Sequence, residues 1–168
     1  PFAPLGDGTI SPPVTPRVAE SPTPPATAED GIHRLLYVCV ARKPFSREEL
    51  TELLAKSRAN NMRDSVTGLL LYKEGVFTQL LEGNEDAVRQ CFARICQDPR
   101  HGGCTLIDSG SAAARMFPDW RMGFRNLNET DVSKLPGYSD FMISGASKPN
   151  AGEAVHYWRL LESFRQEM

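Results

Sequence analysis

Tyr37, Asn61, Gln79 and the pair Trp120 and Met122 occupy positions where a small α/β core should be apolar. A buried amide or phenol left without a partner costs about 1–3 kcal/mol. Three of them converging on one pocket are therefore poor core filler. Carboxamides carry both donor and acceptor functions, so a planar group rich in donors and acceptors suits the set. Taken singly, each residue also has a plain structural reading. Tyr37 and Trp120 are common core residues, with Trp158 a competing anchor. Gln79 between Thr78 and Leu80 reads as a surface strand residue, and Asn61 as a helix C-cap. Arg94, Asp98, Arg100 and His101 read in isolation as a surface ion network, and His33 and His156 as solvent-facing. There is no GxSxG, phosphate loop or catalytic Cys–His motif.

Regular elements must position these groups. Residues 34–40 (RLLYVCV) form a β-branched apolar run with Leu35, Tyr37 and Cys39 on one face. Ser46 and Glu49 make a capping box that opens a helix to about Asn60. The stripe of that helix runs Leu50, Leu53, Leu54 and Ser57, then meets Asn60 and Asn61 where another leucine is expected. Val66 to Tyr72 and Val76 to Leu81 form a hairpin around Lys73-Glu74-Gly75. Asn84 can cap a second helix running to about Asp98. Cys104 to Asp108 and Trp120 to Phe124 complete five strands. Period-two alternation allows residues 37, 79, 120 and 122 to share one face. The order β-α-β-β-α-β-β predicts an α+β, ferredoxin-like sheet with two helices on one face. Short helices over 129–135 and 138–144 follow, and 151–167 forms a last helix with Val155, Trp158, Leu161 and Phe164 on one stripe.

The chain of 168 residues suffices for one compact domain. Eight of its thirteen prolines lie in residues 1–32, so that segment reads as a flexible extension. A domain over 33–125 and a C-terminal helical cap or output segment over 126–168 follow it. A net charge of −2 gives no electrostatic reason to expect nucleic acid or an anionic membrane. No run is long enough to cross a bilayer and no segment resembles a signal peptide, which places the protein in the cytoplasm. Cys39, Cys91, Cys96 and Cys104 lack CxxC spacing and sit among apolar residues, so they read as reduced core thiols.

The stretch LLYVCVARKPFSREELTELLAKSRANNMRDSVTGLLLYKEGVFTQLLEG, followed by RICQDPRH and FPDWRMGF, resembles a BLUF domain, the blue-light sensor that uses FAD. The resemblance covers about residues 33–125, and the short helical tail is similar to that of stand-alone members. It implies that Tyr37 is the electron-donating tyrosine and Gln79 the switching glutamine. Asn61 matches the asparagine that binds the isoalloxazine, with Asn60 and Ser57 as polar neighbours. Arg94 and Asp98 resemble flavin-binding residues of the second helix, and Arg100 and His101 a pair on the phosphate side. Trp120 and Met122 match a pair that exchanges places on signalling.

What the resemblance implies is a photoreceptor and not an enzyme. Proton-coupled electron transfer from Tyr37 rearranges the hydrogen bonds of Gln79, and the change passes through Trp120 and Met122 to a downstream protein or a second copy of the chain. FAD is the cofactor implied, with FMN or riboflavin as alternatives and no metal. A flavin-dependent small oxidoreductase and a ligand-free interaction module are the competing readings. A dark and illuminated spectrum separates all three.

Overall fold

The computed structural model describes residues 31–129, 131–138 and 150–167. The proline-rich segment, up to residue 30, and nearly all of the short helix expected over 138–144 lie outside the described residues. The elements run β1 (Ile32–Ala41), α1 (Arg47–Asp64), β2 (Thr67–Lys73), β3 (Val76–Gly83), α2 (Glu85–Cys96), β4 (His101–Ala112), β5 (Gly123–Asn126) and α3 (Ala151–Arg165). Two 3-10 turns, Leu127–Glu129 and Val132–Lys134, stand where a helix over 129–135 is expected.

The five strands form one sheet in the order β4-β1-β3-β2-β5. Each neighbouring pair among the first four is antiparallel, which is the ferredoxin-like arrangement, and β5 adds to β2 in parallel. The β2–β3 register closes at Lys73↔Val76. The two residues between them, Glu74 and Gly75, have φ of 48° and 81°, as a two-residue hairpin turn requires.

Alternation along β1 and β3 sorts side chains into two cores. On one face Leu35, Tyr37, Cys39, Phe77 and Leu81 pack against Leu50 and Leu54 of α1 and Val88 and Cys91 of α2. The other face, with Leu36, Val38, Leu69 and Leu80, is covered by Tyr157, Leu160, Leu161 and Phe164 of α3. The stripe of α3 is thus rotated from the expected one. Val155 is 54% exposed, and Trp158 is only partly buried, with its indole N–H donating to Asp108 Oδ2 at 3.0 Å. Tyr157 and Leu160 take the buried places because the sheet meets the neighbouring side of the helix.

Helix α1 carries its predicted capping box at Ser46 and Glu49. It ends at Ser65, which caps it in the left-handed conformation, so Asn61 lies one turn inside the helix and is not its cap. Strand β4 is far longer than Cys104 to Asp108. It pairs with β1 from Ile32↔Ala112 to Ala41↔His101, and its outer residues are mostly polar and exposed. His33 is buried on that ladder at 7% exposure, not solvent-facing, because Gly83 and Ser111 flank it on both sides.

Gly68 is a close-approach position. A Cβ there would lie 1.9 Å from the carbonyl oxygen of Leu80, a backbone atom that cannot swing aside. Gly68→Ala is expected to destabilise the fold by about 1–3 kcal/mol through this overlap. A thermal melt or denaturant midpoint that matches wild type would show that β2 and β3 separate freely at this point.

Candidate functional site

Between α1 and α2 the sheet leaves a cleft. Ser57, Asn60 and Asn61 of α1 line one wall; Arg94 of α2 lies on the other, and Asp98, Arg100 and His101 follow α2. Gln79 of β3 forms part of the floor. The cleft has a cavity volume of about 170 Å³ and opens to solvent. Leu53, Lys56, Cys91 and Ile95 also line it. Lys56 is the residue that sequence reasoning missed. Its signal was the 53, 56, 57, 60 spacing, which is one face of a helix.

Tyr37 sits beneath the floor. Its hydroxyl donates to Gln79 Oε1, both side chains are buried, and its ring tilts against Phe92 at 4.9 Å between centroids. The register makes this contact inevitable, since Tyr37 and Gln79 are direct partners across β1 and β3. Burial pushes the Tyr37 phenol well above its ordinary value, with nearby thiols adding to the effect. The phenol is therefore neutral and keeps its proton.

Gln79 spends its amide on Met122, with Nε2 donating to Sδ at 3.1 Å. Met122 is buried in the same core as Tyr37. Asn61 is 2% exposed and donates from Nδ2 to the Arg121 carbonyl at 2.7 Å. Arg58 donates to the Met122 carbonyl at 3.0 Å. Helix α1 thus grips the segment on which Met122 rides.

Trp120 lies elsewhere. Strand β5 begins only at Gly123, so Trp120 is outside the sheet and does not share a face with Tyr37, Gln79 and Met122. It packs on the opposite core, stacked on Phe117 at 5.2 Å and 17°, with Arg125 over its ring at 5.4 Å. The cause is local. The Gly68 N–H donates to the Trp120 carbonyl at 2.9 Å, and Gly123 leaves room that a Cβ would fill at 2.1 Å from the indole.

The same segment is anchored upstream by Glu82, which is fully buried. Its carboxylate accepts from the Met116 and Phe117 amides at 2.7 and 2.9 Å and from Arg34 at 3.0 Å. Sequence reasoning missed this residue as well, for a lone glutamate at the end of a strand carries no distinguishing pattern.

Arg94, Asp98 and Arg100 at the cleft are each in an ion pair. Arg100 chelates Asp98, with the shortest contact at 2.6 Å, and its guanidinium holds the Asp98 carboxyl at about 2 despite partial burial. Arg94 reaches Asp64 at 2.8 Å. His101 is 7% exposed, and neither ring nitrogen has a hydrogen-bond partner among the described residues. Burial pushes it below its ordinary value, so it is neutral at neutral pH. All four cysteines are free thiols, and among the described residues no helix is long and apolar enough to cross a membrane.

The family model for BLUF, sensors of blue-light using FAD, matches residues 32–123. This chain belongs to the BLUF family of blue-light sensors. It is 35% identical over 122 residues to the photoactivated adenylate cyclase subunit beta of Euglena gracilis, covering 72% of this chain and 14% of that subunit. Over 83 residues it is 36% identical to the blue light- and temperature-regulated antirepressor BluF of Escherichia coli (strain K12), covering 49% of this chain and 21% of that protein. The chain therefore spans a small part of these relatives. Among solved structures, the dark-state BLUF protein BlrB aligns with a TM-score of 0.69 at 27% identity, over 84% of this chain and all of that one.

BLUF domains bind flavin, and the residues present suit one. Amides of Asn60, Asn61 and Gln79 line one cleft with a buried histidine whose ring nitrogens lack hydrogen-bond partners among the described residues. Such groups match a ring edge that alternates acceptors and a donor.

Proposed function

We propose that Tyr37 is the electron and proton donor of this photoreceptor, Gln79 its hydrogen-bond switch, and the 116–122 segment with α3 its outlet. The observation that carries this reading is the continuous chain from the Tyr37 hydroxyl to Gln79 Oε1 and from Gln79 Nε2 to Met122 Sδ. When bound, an oxidised flavin would supply a one-electron oxidant on absorbing blue light. Tyr37 would give that oxidant an electron and pass its hydroxyl proton to Gln79 Oε1, the acceptor already in place. When the electron and the proton return to Tyr37, Gln79 would be left with its donor and acceptor groups rearranged. The amide then no longer offers its N–H to Met122, and the light state differs from the dark one at that contact. No substrate is consumed.

Asn61, Asn60, Ser57, Arg94, Asp98, Arg100 and His101 hold the cofactor in this reading, and FAD is the form we assign. Arg94 and Asp98 turn from their present ion pairs to do so. The E. coli relative is named for antirepression and the Euglena relative for adenylate cyclase. For this chain we assign the output to a downstream protein or to a second copy of the chain, in the cytoplasm. Residues 126–168 act as the receiving cap.

Absorption spectra of the purified chain in the dark and under blue light test the proposal. A flavin spectrum whose blue band moves reversibly to longer wavelength, without added substrate, is expected. A colourless protein, or bleaching that needs a substrate, overturns it. Asn61→Ala is expected to weaken flavin retention about tenfold, since it leaves a polar cofactor edge and the Arg121 carbonyl unpaired. Fluorescence titration measures this, and undiminished affinity would confine Asn61 to holding the loop.

A further inference from the structure

Three of the four free thiols gather where α2 ends and β4 begins. Cys96 is the last residue of α2, Cys39 lies in β1 and Cys104 in β4. The Cys104 thiol contacts both of the others. We propose that Cys96 and Cys104 form a reversible oxidation site, which hydrogen peroxide closes into a disulfide that staples the loop between them. That loop carries Asp98, Arg100 and His101, so the bond fixes one wall of the cleft. Its effect on the cofactor rests on the flavin reading, whereas the disulfide itself does not.

The backbone brings the pair together. Val38 pairs with Thr105 and Val40 with Gly102, so Cys39 alone faces Gly103 and Cys104 across the β1–β4 ladder. This is a bulge, and Gly103 at φ 59° supplies the left-handed residue it needs. Cys104 thereby packs beside Cys39 in the core under α2. The chain between α2 and β4 returns tightly on itself. The Asp98 N–H donates to the Ile95 carbonyl at 3.1 Å, and the His101 N–H to the Asp98 carbonyl at 3.4 Å. Two such turns in succession carry Cys104 back to the end of α2.

Access separates the three thiols. Cys96 is exposed, Cys104 is half-buried and Cys39 is 1% exposed, so peroxide meets Cys96 first. The Cys96 sulfur attacks one peroxide oxygen, the O–O bond breaks, and a sulfenic acid and one water form. The Cys104 sulfur then attacks the Cys96 sulfur. The S–S bond forms, the S–O bond breaks, and the hydroxyl leaves with the Cys104 proton as a second water. Two electrons pass from the two thiols to one peroxide, and a small dithiol returns them through a mixed disulfide. Burial and the Cys104 contact hold the Cys96 thiol up at about 12, so it rests neutral and reacts slowly. A loop tied at both ends has fewer conformations to lose when a ligand settles against it. The oxidised chain should therefore hold its cofactor longer.

The test treats the purified full chain with hydrogen peroxide in the dark, alkylates it with iodoacetamide under denaturing conditions and maps it by mass spectrometry. Cys96 and Cys104 are expected to be joined, with Cys39 and Cys91 alkylated, and dithiothreitol should free all four. Amide exchange over residues 97–103 should slow on oxidation, and flavin should leave several-fold more slowly on dilution. Cys96→Ser and, separately, Cys104→Ser should lose all three responses, while Cys39→Ala keeps them. Four free thiols after peroxide, a stable sulfinic acid at Cys96, or a bond from Cys104 to Cys39 overturns the site. A Cys96–Cys104 bond that leaves loop exchange or flavin release unchanged overturns the staple. A chain that forms the bond and slows the loop but binds no flavin upholds the site and removes the flavin reading instead.

Discussion

Tyr37→Phe is expected to bind flavin and to lose the red-shifted state altogether. The variant keeps the ring that packs on Phe92 and fills the same buried volume, so the cleft should survive. It loses one hydroxyl, the donor to Gln79 Oε1. A neutral hydrogen bond of this kind is worth about 0.5–1.5 kcal/mol net, too little to unfold the domain or release the cofactor. The loss is chemical, since a phenyl ring has no proton to give with its electron. Illuminated-minus-dark difference spectra at equal flavin loading measure it, and a normal shift in Tyr37→Phe would return Tyr37 to a packing role. Gln79→Leu should also abolish the shift and displace the dark spectrum.

The same environment sets a pH dependence. The folded-state pKa of Tyr37 is raised above its ordinary 10.0 by burial. Its contribution to stability is then fully present below pH ~10 and is lost as pH rises through the folded value. The photocycle of wild type should accordingly be independent of Tyr37 ionisation across neutral and mildly alkaline pH.

That Tyr37 and Gln79 face one side of the sheet was legible in the chain because it follows from strand alternation, whereas their direct pairing is set by the β1–β3 ladder, whose strands are separated by α1 and β2. The capping box at Ser46 and Glu49 and the β2–β3 turn were legible because each is fixed by residues within a few positions of one another. Strand β4 was not, because its length comes from its ladder with β1 and its own residues are largely Gly, Ser and Thr. The end of α1 was read four residues early. Asn60 and Asn61 break the leucine stripe and look like a terminus, whereas Ser65 in the left-handed conformation is the real one. The stripe breaks there because that part of α1 faces the cleft. A break in amphipathic pattern can mark either a helix end or a site, and only tertiary structure separates the two.

Trp120 shows the other limit. An alternating WRMGF run suggested one strand with both Trp120 and Met122 facing inward. The backbone of Trp120 is instead bound by Gly68 before β5 begins, and the indole falls into the space over Gly123. Which face a residue takes at a strand entrance depends on such long-range contacts. The consequence is functional, for the segment has one end in each core: Met122 beside Gln79, and Trp120 beside the covering of α3.

Trp120→Ala and Met122→Ala are each expected to keep the spectral shift and lose the light-dependent change in α3. Met122 Sδ accepts from Gln79, so it senses the switch directly. Two residues back, Trp120 lies under Arg125, whose guanidinium also covers Phe164 of α3 at 5.8 Å. The path from pocket to helix is therefore Gln79, Met122, the intervening backbone, Trp120, Arg125 and Phe164. A changed hydrogen bond is worth about 0.5–1.5 kcal/mol, and about 1.4 kcal/mol is a tenfold change in population. That is enough to shift a segment already held at the edge of two cores, and far too little to unfold it. Proximity alone does not establish coupling; a two-state element biased from both ends does. Amide exchange of residues 151–165 in dark and light, with size-exclusion profiles beside it, reads the far end. Wild type should change its α3 protection or assembly on illumination, and the two variants should not, although their spectra still shift. If both variants respond like wild type, the signal leaves the pocket by another route, and Glu82, which ties Met116 and Phe117 to β3, becomes the next place to cut.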